Sequence, residues 1–228
     1  MTDNRSRQMY DDFQLVYNNL ASNLAPGLDI FEISMYLTKA YHSYVVSSYH
    51  QYEKSESARK SLIELVKPLQ LTPYSLGNPQ NVRISKESTF FKLPTDVLYI
   101  VYEAIEMDNN REVPACLRGK TIQVSPTTHD EFHSVYNNPF RYNKRHALRL
   151  DIDVGPDRLA EIVSTNSHIK YYQIRYIKKP GPIILDNLTG TDMIDGIQTE
   201  TLCELNPIYD KDIVKLAAQL AYQDYKAA

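Results

Sequence analysis

The sequence of 228 residues contains no tryptophan, only two cysteines and only seven glycines. The glycines are scattered and form neither a phosphate-binding loop nor a dinucleotide-binding motif, and no Gly-x-Ser-x-Gly turn is present for a serine nucleophile. Cys116 and Cys203 lie far apart and outside any metal-binding spacing, so we expect them to be reduced thiols. These absences remove most of the motifs by which an enzyme is recognised from its sequence.

The charge balance and the apolar pattern also exclude some partners. The net charge is −3, with 25 Lys and Arg against 28 Asp and Glu, which gives no general attraction to nucleic acid or to an acidic membrane. No apolar run approaches the roughly 20 residues that a membrane-spanning helix needs. The first residues are too polar for a signal peptide. We therefore expect a soluble protein with no membrane partner.

Tyrosine is the residue type that stands out, with 18 copies beside six phenylalanines. Its ring is apolar and its hydroxyl is polar, so it suits interfaces that assemble from the soluble state, although it also lines half-wet cores. We treat tyrosines on predicted helices as candidate contacts with protein partners. These candidates are Tyr36, Tyr41, Tyr44, Tyr222 and Tyr225.

Apolar residues at helical spacing predict two N-terminal helices separated by Pro26-Gly27. Asp29 followed by Glu32 resembles a capping box at the start of the second helix. The two apolar stripes are Met9, Phe13, Val16, Leu20 and Leu24, then Ile30, Ile33, Leu37, Tyr41 and Tyr44. A third helix is expected over 55–67 and a last one after Asn206, which can cap it.

Runs rich in Val, Ile, Phe and Tyr predict strands in the middle of the chain. They cover 88–93, 96–107, 121–124, 147–152, 171–177 and 183–185, with a short helix over 127–138 and an exposed loop or arm over 186–200. The resulting regions are an N-terminal helical bundle (1–67), a connector (68–87), a β-rich region (88–205) and a C-terminal helix (206–228). Such segregated helices and strands indicate the α+β fold class.

Few constellations of reactive side chains are present. On a helix, His129 and His133 would share a face as zinc ligands do, but zinc proteases place Glu directly after the first His, where this chain has Asp130. Asp151 and Asp153 would lie on one strand face, where they could bind a cation or simply be solvated. We expect no metal, no cofactor and no enzymatic activity.

The most basic stretch contains Arg141, Lys144, Arg145 and Arg149. With Tyr142 between them, these cations could hold a phosphate backbone. They could equally meet an acidic patch on a protein neighbour, or form a hydrated loop. The stretch is therefore a candidate basic contact loop whose partner the sequence leaves open.

Four blocks, in a common order along nearly the whole chain, resemble the head-to-tail connector proteins of tailed bacteriophages, most closely those of crAss-like phages. The blocks are 17–29 with 35–40, 124–132 with 137–141, 176–185, and 203–207 with 213–214. The resemblance implies a virion structural protein that forms a twelve-subunit ring in the neck and surrounds the DNA channel. It implies contacts with further copies, with the portal protein, with the next tail ring and with genome DNA in the lumen, and no catalytic residues.

The resemblance further implies a location in the virion tail or neck, and in the host cytoplasm during assembly. The candidate tyrosines would then lie at subunit or portal interfaces, and segments 68–82 and 186–200 would be arms that become ordered on a neighbour. Three alternatives remain open: a tail-tube or stopper ring of the same virion, a DNA-binding protein, and an enzyme with an unrecognised site.

Overall fold

A computed structural model describes residues 4–21, 26–75, 83–143 and 145–227. The chain forms two compact units: residues 1–65 with 179–228, and residues 66–178. The first unit is mainly helical and the second is built on a sheet, so the fold is α+β as predicted. Both ends of the chain belong to the helical unit, because the segment after residue 178 returns to it.

The described helices and strands are numbered in chain order. The helices are α1 (Asn4–Ala21), α2 (Ile30–His50), α3 (Glu56–Ser61), α4 (Phe132–Tyr136) and α5 (Asp210–Ala227). The strands are β1 (Val66–Leu71), β2 (Ser88–Lys92), β3 (Val97–Met107), β4 (Thr121–Pro126), β5 (His146–Val154), β6 (Asp157–Val163) and β7 (Ile169–Lys178). No helix among the described residues is long and apolar enough to cross a membrane.

In the helical unit, α5 packs against both α1 and α2. Arg5 joins the starts of α1 and α5, since its guanidinium donates to the Asp210 carboxylate at 2.7 and 2.8 Å. The same guanidinium donates to the main-chain oxygens of Cys203 and Leu205 at 3.0 and 2.7 Å. Near the other end of α5, the Tyr36 hydroxyl donates to Asp224 at 3.1 Å. Helices α1 and α5 therefore run parallel, and α2 runs antiparallel to α5.

The buried face of α1 follows the predicted stripe with two changes. Met9 and Phe13 are buried as expected, but Tyr17 and Ala21 are buried in place of Val16 and Leu20. The Phe13 and Tyr17 rings stack with their centroids 5.8 Å apart, so the aromatic pair sets the rotation of the helix. Leu24 of the predicted stripe lies outside the described residues.

The predicted capping box at the start of α2 is confirmed. The Asp29 carboxylate accepts a hydrogen bond from the Glu32 main-chain N–H at 2.7 Å, and the Glu32 carboxylate accepts one from the Asp29 N–H at 3.0 Å. Two otherwise unpaired N–H groups at the helix terminus are thereby satisfied. This local sequence signal fixes where α2 begins.

Loss of this cap is expected to lower the stability of the fold by a modest amount. Asp29→Ala removes the acceptor at the helix terminus and should lower the free energy of unfolding by about 1 kcal/mol. Asp29→Ser keeps a side-chain acceptor and should retain most of the stability. Denaturant unfolding of both variants checks the prediction, and equal losses in the two would contradict it.

The proline-rich segment after β7 packs on α2 instead of forming the predicted strand over 183–185. The Ile183 N–H donates to the Thr38 hydroxyl at 3.0 Å, and the Leu185 N–H donates to the Ser34 hydroxyl at 3.2 Å. Only Ile184 makes a β-bridge, with Thr201. Buried hydroxyls on the helix thus replace the ladder partners of a strand.

The second unit contains a seven-stranded sheet in the order β1-β7-β3-β4-β5-β6-β2. All neighbouring pairs are antiparallel except β4 and β5, which are parallel. The sheet is curled, because residues next to its two edge strands, β1 and β2, meet. Tyr74, three residues after β1, forms a β-bridge with Phe90 of β2, and its N–H donates to the Phe90 main-chain oxygen at 2.7 Å. The inner face packs around Phe91 and Tyr172, whose rings are 5.2 Å apart.

A smaller apolar cluster covers part of the outer face. It is built on Leu148, Leu150 and Val163 of the sheet and is covered by Phe132 of α4. Glu161 is fully buried in β6, and its carboxylate accepts a hydrogen bond from the Ile84 N–H at 2.9 Å. The loop before β2 is therefore fixed to the sheet.

Three further element predictions need correction. The third helix ends at Ser61, Ile63–Leu65 form a short 3₁₀ helix, and β1 begins at Val66. Pro68 is accepted in β1 because β1 is an edge strand. The helix predicted over 127–138 is limited to α4. Strand β6 was not predicted, because the buried Glu161 interrupts its apolar pattern. Part of the predicted connector 68–87 lies outside the described residues.

Candidate subunit-contact surfaces

The two histidines considered as a zinc pair do not share a helix face. Because α4 begins only at Phe132, His129 lies before the helix and His133 within it. His129 Nε2 is 3.2 Å from the main-chain oxygen of Asp151. In the described ranges, no group of three or more His, Cys, Asp or Glu side chains could hold a metal ion.

Four of the five candidate tyrosines keep accessible surface. Tyr36 and Tyr44 are half-buried on α2, and the Tyr44 ring is 5.9 Å from that of Tyr209. Lys226 Nζ is 4.6 Å from the centroid of the Tyr222 ring, and Tyr225 is 41% exposed. These side chains combine an apolar ring with accessible surface, so they stay candidates for contact with a partner.

The fifth candidate, Tyr41, is not at the surface, so its predicted role as a contact residue is corrected. Its side chain is fully buried within the helical unit, and burial raises the pKa of its hydroxyl far above the usual range. A ring with no accessible surface contributes to packing and cannot reach a neighbouring subunit. Its position in the apolar stripe of α2 already indicated this role.

The predicted basic loop is also revised. Arg141 and Arg145 are exposed, whereas Lys144 lies outside the described residues. Arg149 is buried in β5, where its guanidinium lies 2.9 Å from Glu103 and 2.6 Å from Asp151. Arg149 is therefore part of an internal ion-pair network and is not available to a partner.

A cleft of about 540 Å³ brings Arg145 together with a cation that the sequence analysis missed. Lys120, immediately before β4, lines the same cleft, and Leu117 and Ile122 form its apolar floor with about 5% exposure each. No acidic side chain lines it. Because Lys120 and Arg145 are far apart in sequence, only the fold shows that they share a surface, the basic cleft, with Cys116 at its rim.

The segment 186–200, expected to be an arm, has an internal frame of hydrogen bonds. The Leu188 N–H donates to the Gln198 oxygen at 2.8 Å, and Ile194 and Ile197 pair across a turn. The segment contains four acidic residues and no Lys or Arg. We call it the acidic loop. These hydrogen bonds give the acidic loop a defined turn within one copy of the chain.

Phe140 presents the most exposed large apolar side chain among the described residues, at 92%. The turn that carries it is held by Asn138, whose main-chain oxygen accepts hydrogen bonds from Arg141 and Tyr142 and whose side chain accepts one from Phe140. Tyr142 anchors the turn by stacking on Tyr136 at 4.7 Å. A rigid turn with an exposed ring is typical of a contact point for a partner.

The two free cysteines should differ strongly in reactivity. Cys116 is exposed, whereas Cys203 is buried, and burial raises the pKa of its thiol to about 11. Since the thiolate is the reactive form, we expect one equivalent of maleimide to react with the native protein and two after denaturation. Cys116→Ser should abolish the native reaction, and rapid labelling of Cys203 in that variant would contradict the structure.

Comparisons with known proteins agree over nearly the whole chain. A family described as "Phage tail ring protein 3/4" matches residues 3–228. "Ring protein 3" of Bacteroides phage crAss001 is 32% identical over 225 residues, which cover 95% of this chain and 94% of that protein. "Ring protein 4/5" of the same phage is 27% identical over 227 residues, covering 95% and 91%.

Proposed function

Because the chain belongs to the family of phage tail ring proteins 3/4, we propose that it is a structural ring subunit in the neck of a tailed phage virion. In this role, twelve copies form a ring that joins the portal to the tail and surrounds the DNA channel. Its partners are further copies of itself, the portal protein and the next tail ring. Assembly takes place in the host cytoplasm before the ring becomes part of the virion.

The observation that carries the proposal is the extent of the match. The family match runs from residue 3 to residue 228, so it includes both the helical unit and the sheet unit. The relative with 32% identity is aligned over 94% of its own length and is itself named as a ring protein. A shared architecture over this length supports a shared structural role.

A second placement within the same virion has its own support. The chain is also 27% identical to a differently numbered ring protein of the same phage. Two differently numbered ring proteins of one phage are thus related to this chain. The alternative position is therefore another ring of the same virion, such as a tail-tube or stopper ring. The identity to ring protein 3, 32% against 27% for ring protein 4/5, supports a role like that of ring protein 3.

The structure supports a binding role through its surfaces. Phe140 is held almost fully exposed, and the basic cleft presents two cations with no acid in its lining. In contrast, the half-buried Arg5 and the buried Arg149 stabilise the fold through Asp210 and Glu103. The features without internal partners therefore lie where a neighbouring molecule could contact them.

Electron microscopy and native mass spectrometry of the purified full chain provide the direct test. We expect closed rings of about twelve copies, alone or with the adjacent neck components. Labelled antibody against the chain should bind at the neck of intact virions. A chain that stays monomeric with those components present, or antibody binding at the capsid, would contradict the proposal.

A further inference from the structure

We propose that the basic cleft of one subunit binds the acidic loop of the neighbouring copy, an inference that rests on the proposed ring. A ring closed by rotation needs two different surfaces on each subunit, one for each neighbour. Here one surface belongs to the sheet unit and the other to the helical unit. The occupant of the cleft is therefore a second copy of this chain.

The first argument is the distribution of charge between the two units. Residues 66–178 contain 15 of the 25 Lys and Arg but only 12 of the 28 Asp and Glu. The remaining residues contain 10 Lys and Arg against 16 Asp and Glu. The sheet unit is thus positive and the helical unit negative, so unlike units of neighbouring copies attract each other.

The second argument is the chemistry of the cleft. Lys120 and Arg145 are exposed and make no ion pair with any residue that the structure describes. The floor formed by Leu117 and Ile122 is apolar. The cleft therefore suits a ligand with an apolar tip and flanking negative charge.

The third argument is that the acidic loop has this composition and is preorganised. Met193 is 53% exposed and is preceded by the exposed Asp192. The adjacent turn has positive φ at Asp195 (50°) and Gly196 (79°), the conformation of a tight two-residue hairpin turn. The Gln198 side chain fixes the base of the loop by donating to the main-chain oxygens of Gly190 and Asp192 at 3.2 and 3.1 Å.

The acidic loop and the basic cleft are complementary in charge and in apolar surface. In the proposed contact, the Met193 side chain lies on the apolar floor, and Asp192 pairs with Lys120 or Arg145. Little ordering entropy is lost because the loop already has its turn. The attraction involves exposed charges, so raising the salt concentration should weaken the contact.

A cysteine crosslink tests the geometry, because Cys116 already lies at the rim of the cleft. The full-length Met193→Cys variant, mildly oxidised after assembly, should give a ladder of disulfide-linked multimers on a non-reducing gel. Adding Cys116→Ser should remove the ladder. The matched control is Ile208→Cys, since Ile208 is 73% exposed in the same unit but outside the acidic loop, and it should give none.

Charge reversal tests the energetics. Arg145→Glu or Asp192→Lys alone should weaken self-association by about tenfold or more, and the double variant should recover most of the loss. Reversal at the exposed Lys215 or Glu53 should leave association close to that of the unmodified chain. Sedimentation velocity over a range of concentrations measures these differences.

The outcomes separate this inference from the proposed function. Rings that form normally while Met193→Cys gives no ladder, or only an internally linked monomer, overturn the contact and leave the ring intact. The contact is also overturned if the reversals leave association unchanged but abolish binding of a duplex DNA fragment. A chain that forms no ring with its neck components overturns both proposals.

Discussion

Replacing Arg149 by methionine is expected to lower the free energy of unfolding by about 3–5 kcal/mol, because it leaves a buried carboxylate without its cation. Glu103 and Arg149 lie 2.9 Å apart with side chains only 8% and 10% exposed. The Tyr172 hydroxyl donates to the same carboxylate at 2.6 Å. In the variant, this hydroxyl is the remaining internal donor to Glu103 among the contacts that the structure describes.

The stability lost in Arg149→Met should depend on pH. Burial raises the pKa of Glu103 above its usual range, although Arg149 opposes the shift. A carboxyl with a raised folded-state pKa contributes stability below its unfolded-state pKa, and this contribution is lost as pH rises through the folded-state value. Without Arg149 the pKa rises further, so the penalty should be smaller at pH 4 than at pH 7.

A second substitution provides the control. Glu103→Gln combined with Arg149→Met removes both charges and keeps an acceptor for Tyr172, so it should recover a large part of the stability. Denaturant unfolding at both pH values measures the difference. A double variant less stable than Arg149→Met alone would show that the carboxylate is not the source of the penalty.

Replacing Phe13 by alanine should cost about 3–5 kcal/mol in the helical unit, because the ring is fully buried and a cavity would remain. Leu15, two residues further along α1, is 63% exposed, so Leu15→Ala should change stability by only about 0.5 kcal/mol or less. Both variants shorten an apolar side chain on one helix, which makes them a matched pair.

Hydrogen exchange locates the effect of the Phe13 substitution. Since α1 packs against α5, Phe13→Ala should reduce amide protection in both helices, whereas Leu15→Ala should leave α5 unchanged. Protection in the strands of the sheet unit serves as an internal reference. Equal exchange in the two variants would contradict the assigned packing of α1.

Local signals in the sequence predicted much of the fold. The capping box places the start of α2, and Asn206 caps the final helical segment by accepting a hydrogen bond from the Ile208 N–H at 3.1 Å. The strands β3 and β7 follow from their β-branched and aromatic residues. Such signals depend on residues close in sequence, which is why they could be recognised without the structure.

The predictions fail where contacts between residues far apart in sequence determine the structure. Pro68 ends a predicted helix, but its actual position on a sheet edge depends on pairing with β7. Arg149 lies among other cations in the sequence, but its ion pair with Glu103 of β3 determines its role. Lys120 and Arg145 are 25 residues apart in sequence, and only the fold places them in one cleft.

The discontinuous helical unit also constrains how a subunit is made. Helix α1 leaves the ribosome early, but its apolar stripe is covered by α5, which is synthesised after the entire sheet unit. The sheet unit can therefore fold during translation, whereas the helical unit closes only when α5 emerges. A polypeptide released too soon would lack α5 and could not bury Phe13. Closure of the helical unit therefore depends on the last helix to be synthesised.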